Sequence, residues 1–93
     1  MSLVLKDPGA AIDYQFDWGS YYLSGQAILA SEWAVDPAAV DGLATANASH
    51  DALVSRATIS GGRIGQVYRL TNRVSLTDGQ IDERTITIRV EQR

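Results

Sequence analysis

The chain has 93 residues, 45% hydrophobic and 20% charged, which suits one folded domain over residues 1–93, at the lower limit of what closes a core unaided. A net charge of -3 with a single lysine, Lys6, lacks the clustered cations that phosphate contacts need, so no nucleic acid is expected as a partner. Without cysteine neither disulfides nor thiolate metal sites can form, and no apolar run reaches the ~18 residues of a membrane span or the pattern of an export signal peptide.

Leu3–Leu5 is a short apolar piece ended by Asp7-Pro8-Gly9 and reads as an edge strand closed by a turn. Residues 12–18 alternate strictly, with Ile12, Tyr14, Phe16 and Trp18 on one side and Asp13, Gln15 and Asp17 on the other, the period of a half-buried strand. Residues 19–25 carry glycine at both ends and the adjacent Tyr21 and Tyr22, which cannot share one strand face, and predict a loop with an aromatic tip. From Gln26 to Val35 the set Leu29, Ser31, Trp33 and Val35 falls on one face and predicts a strand, although Ala27–Ala30 is compatible with a helix start. The alanine-rich stretch Asp36–Ser49 is open between strand and a short helix with Pro37 at its first position. Leu53–Ile59 alternates again, with Leu53, Ala57 and Ile59 inward, before Gly61-Gly62 breaks the chain.

The last hairpin allows a sharper argument. Tyr68, Leu70 and Val74 share one parity, and Ile86, Ile88 and Val90 share one parity, so core-facing residues must pair even with even. A two-residue turn at Asp78-Gly79 breaks that match. A three-residue loop Thr77-Asp78-Gly79 restores it, with Gly79 where a type I turn plus bulge needs positive φ. Leu70 then faces Ile86, Tyr68 faces Ile88, and Asn72 faces Arg84, two polar groups on an apolar face that must bond to each other or to nearby backbone. About seven short strands with turns every ten residues or so predict an all-β, antiparallel, immunoglobulin-like sandwich. In it Trp33, on a central strand, and Tyr68, entering the penultimate one, take the places of a core tryptophan and a corner tyrosine.

No constellation reads as catalytic. Ser49, His50 and Asp51 are consecutive, and a nucleophile-base-carboxylate relay needs side chains converging from separate elements. With one histidine and no cysteine, a metal site would have to be all oxygen, and neither Asp13/Asp17 nor Asp78/Asp82/Glu83 has the spacing of a calcium loop, so no metal or cofactor is expected. Gly61–Gly65 precedes a strand rather than the helix a phosphate loop requires. Arg69, Arg73 and Arg89, with Thr71, Thr85 and Thr87 between them, form the outward face of the last hairpin: a solvated sheet face, or an interface to an acidic partner. Tyr21 and Tyr22 are a second candidate contact. Lys6 and Asp7 at one edge, and Glu91 and Arg93 at the other, are charges of the kind that discourage uncontrolled strand pairing.

The opening Lys6-Asp7-Pro8, the stretch Asp13–Trp18, Ser31-Glu32-Trp33, and Tyr68–Val74 running through Asp78-Gly79 to Asp82–Val90 together resemble small immunoglobulin-like structural proteins of tailed bacteriophages and prophages, of tail or tail-fibre adaptor type. The resemblance covers nearly the whole chain. It implies a virion component made in the bacterial cytoplasm, without enzymatic activity, whose partners are other virion proteins and copies of itself. The alternative reading from the residues is a carbohydrate-binding or adhesin-type sandwich that stacks sugars on Trp18, Tyr21 and Tyr22.

Overall fold

The computed structural model describes residues 3–21, 25–38 and 42–92, with Ser20 and Tyr21 described by backbone alone. The alternating segments form strands β1 (Leu3–Lys6), β2 (Ala11–Asp17), β3 (Ile28–Asp36), β4 (Leu43–His50), β5 (Val54–Gly61), β6 (Val67–Leu76) and β7 (Ile81–Val90), and one helical turn, α1 (Trp18–Tyr21), follows β2. One sheet has the order β1-β7-β6-β3 and the other β2-β5-β4. This is the strand distribution of an immunoglobulin-like sandwich with its first strand moved beside the last, where β1 runs parallel to β7 while the other pairs are antiparallel.

The two inner faces meet in a core of Phe16, Trp18, Ile28, Leu43, Ala57, Ile59, Tyr68, Leu70, Val74, Leu76, Ile86, Ile88 and Val90. Burial of each large aliphatic side chain in it contributes about 1.5–3 kcal/mol. The β6–β7 register is the one that parity requires: Tyr68 opposite Ile88, Leu70 opposite Ile86 and Asn72 opposite Arg84. At the tip, Leu76 N–H donates to the Gln80 carbonyl (2.8 Å) and Gly79 N–H to that of Leu76 (3.0 Å), with Gly79 at φ 88°. The tip is tied to the approach to β3, because Thr77 N–H donates to the Ala27 carbonyl and Ala27 N–H to the Thr77 hydroxyl.

Several elements differ from the sequence reading, each for a local reason. Trp18 leaves the strand and opens α1, a turn pressed onto the β4–β5 loop: Gly19 N–H donates to the Leu53 carbonyl at 3.0 Å, and a Cβ at Gly19 would stand 2.8 Å from that of Leu53. A bulge between Ile28 and Ala30 reverses the parity of β3, so Ile28 is buried and Leu29 exposed. Leu53 lies before β5 begins and is exposed, and Ser55 takes the first inward position of that strand. The second half of the alanine-rich segment, with His50 after it, forms β4, an edge strand held by β5. Strand β3 is an edge rather than a central strand, so Trp33 is only half-buried; it stacks on Phe16 with ring centroids 5.5 Å apart, and the fully buried tryptophan is Trp18.

The corner before β6 rests on two contacts. The Tyr68 ring is buried and its hydroxyl accepts from Arg63 N–H at 3.1 Å, five residues upstream. Gly62 sits at φ 101° where a Cβ would be 2.6 Å from a Val90 methyl, whereas Gly65, at φ 84°, has open space around it. We therefore expect Gly62→Ala to lower stability by about 2–4 kcal/mol and Gly65→Ala by only about 1 kcal/mol, read by chemical denaturation, since the first adds overpacking to backbone strain and the second brings strain alone.

Candidate protein-protein interface

The polar groups of the inner face come together from four elements. Asn72, fully buried on β6, accepts from Trp18 Nε1 (2.9 Å) and donates through Nδ2 to Ser31 Oγ (2.8 Å) and to the Glu32 carbonyl (2.9 Å). Ser31 in turn shares a hydrogen bond with the buried Ser55 of β5. Asn72 and Arg84 are opposite one another in the ladder, but the amide turns to Trp18, Ser31 and the β3 backbone, while the Arg84 guanidinium lies 5.4 Å from the centre of the Phe16 ring. The sequence reading singled out Asn72 and Arg84 and missed Trp18, Ser31 and Ser55 as its partners. The available signal was a polar residue at an inward position on β3, β5 and β6 alike.

These groups hold the sheets together and are closed to ligands, so any site must lie outside. On the outer face of β1-β7-β6-β3, Arg73 stands between Glu32 and Glu83, Arg69 stands opposite Asp36, and Arg89 Nε is 2.8 Å from a Glu91 carboxylate oxygen. Thr71 and Thr85 share a hydrogen bond between these rows, and Thr87 lies beside Arg69. The expected arginine-threonine face is present, but its cations alternate with carboxylates. It is a mixed-charge surface, suited to an equally mixed partner rather than to a uniformly acidic one.

The other outer face carries a groove of about 430 Å³ lined by Asp13, Gln15, Asn47, Arg56 and Thr58 together with Tyr14 and Ala57. Its size is that of a small-ligand pocket, but such pockets are walled mostly by apolar and aromatic side chains, and here five of the seven lining side chains are polar or charged. Asp13 already accepts from the Thr58 hydroxyl at 2.8 Å. His50 is exposed, and Asp51 faces away from any relay: its carboxylate accepts from the N–H groups of Leu53 and Val54 and from Arg56, which caps the β4–β5 turn. Among the described residues no three His, Asp or Glu side chains converge as a metal site would require, and no helix is long and apolar enough to cross a membrane.

Two other expectations meet the structure differently. Trp18, offered as a sugar platform, is 1% exposed with its indole N–H engaged by Asn72, so it cannot stack on a glycan. Tyr22 and Arg93 lie outside the described residues, and Tyr21 is placed only by its backbone in α1. Lys6 is no edge guard, since its side chain is 1% exposed and its Nζ donates to the carbonyls of Gly61 (2.7 Å) and Asp7 (2.9 Å). Burial lowers its pKa, opposed by the nearby Asp7 charge.

Two exposed carboxylates also act as turn caps and titrate below their ordinary value of 3.8. Asp51 is lowered by Leu53 N–H, Arg56 and Val54 N–H, and Asp78 by Gln80 N–H and the Gln26 amide. A carboxylate with a depressed folded pKa contributes stability that is present above its unfolded value and is lost as pH falls through the folded one. The Asp51→Asn/Asp78→Asn double variant should therefore show a shallower fall of melting temperature between about pH 5 and pH 2 than the parent chain. An unchanged slope would mean that these caps do not couple to folding.

A family model described as Podophage GP4 fiber-tail adaptor protein gp77 matches residues 6–89 of the chain. No curated protein matches it.

Proposed function

The chain belongs to the family of the Podophage GP4 fiber-tail adaptor protein gp77, and on that premise we propose that it is a structural subunit of a tailed-phage particle, joining tail and fibre through protein-protein contacts. The observation that carries this reading is the extent of the match, which runs from the buried Lys6 to Arg89 and so takes in both sheets and the network between them. An adaptor transmits position, and a sandwich whose two sheets are tied by hydrogen bonds from Trp18 through Asn72 and Ser31 to Ser55 is a rigid body with two outer faces free for neighbours. The mixed-charge face of Arg69, Arg73 and Arg89 can meet other virion proteins, and, being of both signs, a neighbouring copy of the same chain.

Nothing in this reading needs chemistry. The carboxylates with depressed pKa values cap turns, and the polar groove offers no base held against a nucleophile. The domain is thus proposed to be non-enzymatic and to reside in the virion. Mass spectrometry of purified particles should find it at a stoichiometry fixed relative to the tail, and particles produced without it should lack fibres. Intact fibred particles that contain no copy of the chain would refute the reading.

A further inference from the structure

Among the described residues, the two sheets have four open strand edges, β1 and β3 in one sheet and β2 and β4 in the other. Three are guarded in the ways that keep sheet edges from pairing. Strand β2 carries Asp13 and Asp17. Strand β3 carries Glu32 and Asp36 and has the bulge at Ile28/Ala30, and β4 breaks register between Ala46 and Ser49 with Asn47 at φ 53°.

Strand β1 has neither an outward charge nor a bulge, and is guarded only by its length of four residues. Its one charged residue, Lys6, turns inward to two carbonyls, which leaves the edge without an outward charge. Leu3 and Leu5 are 60% and 44% exposed, and Leu5 lies in one cross-strand row with Arg89 and the exposed Val67. The charge in that row is answered within the chain by Glu91. The Lys6 carbonyl accepts from Glu91 N–H on the β7 side, so by alternation the main-chain groups of Val4 point the same way and those of Leu3 and Leu5 point to the open edge.

We propose that β1 is a docking edge for an extended, uncharged strand of another virion protein, which adds to the β1-β7-β6-β3 sheet through the main-chain groups of Leu3 and Leu5 and covers Leu3 and Leu5 with alternate apolar side chains. The proposal rests on the adaptor reading above. The missing charge selects an uncharged apolar strand, and the shortness of the edge selects a strand over a second copy. Four residues offer far less than the ~800 Å² per partner of a stable protein pair, whereas an added strand gains main-chain hydrogen bonds and, in a many-copy particle, avidity.

The test compares the free protein with purified tails. Hydrogen exchange of the peptide containing residues 3–6 should slow in the tail, through the Leu3 and Leu5 amides, and exchange in the tail as fast as in the free protein would overturn the proposal. The Leu3→Lys/Leu5→Lys variant should melt with the parent protein yet enter tails about tenfold less or worse; entry at the parent level would also overturn it. If the free parent protein is a dimer by light scattering that this variant dissociates, the occupant is a second copy and the proposal falls. Absence of the parent protein from tails would instead remove the adaptor reading itself.

Discussion

The hydrogen bonds around Asn72 are the constraint from which the rest of the structure follows. Its side-chain amide has one carbonyl and one NH₂, and in the closed sandwich both are met: Trp18 reaches it from the turn after β2, and Ser31 and the Glu32 carbonyl reach it from β3. Ser31 extends the chain of bonds to Ser55 on the opposite sheet. A buried polar group left without a partner costs about 1–3 kcal/mol, so a sandwich that slid by one residue would leave several such costs and no compensation. Apolar contacts make the two sheets adhere, and the polar cluster decides in which registration they do so.

That registration distributes the remaining groups. With the even positions of β6 and β7 committed to the core, Arg69, Arg73 and Arg89 must face outward, and the antiparallel pairing sets Glu32 and Glu83 on either side of Arg73. The same packing places β1 beside β7 and draws Lys6 across to the Gly61 carbonyl, closing one end of the sandwich. The one charge that β1 itself carries in the sequence is thereby taken out of its edge, while Asp7 caps the turn that follows.

How far the sequence could be read depended on whether a local pattern survived tertiary contact. The β6–β7 hairpin was legible in detail because both strands are long, β6 alternates along its whole length and β7 over its second half, and they are joined by a turn whose glycine is required at φ 88°. Parity failed at Leu29, since a bulge of one residue leaves no mark on composition. Residues 43–50 gave no signal because their alanines and short polar side chains have little preference, and β4 exists through its pairing with β5. The outer face of the hairpin was legible as a row of arginines but not as a mixed-charge surface, because the carboxylates beside it come from another strand or from further along the same one. Membership of a phage adaptor family was readable from motifs along the chain, and the proposed docking edge emerged only once Lys6 was seen to turn inward.

The claim that a buried polar cluster fixes the packing of the two sheets is tested most directly by a double-mutant cycle on Trp18→Phe and Asn72→Ala, with stability measured by denaturant unfolding. A coupling energy of about 1–3 kcal/mol is expected, because either substitution alone already leaves the other's polar group buried without its partner. Additive losses would show that Trp18 and Asn72 act as independent core residues and that apolar packing alone sets the registration.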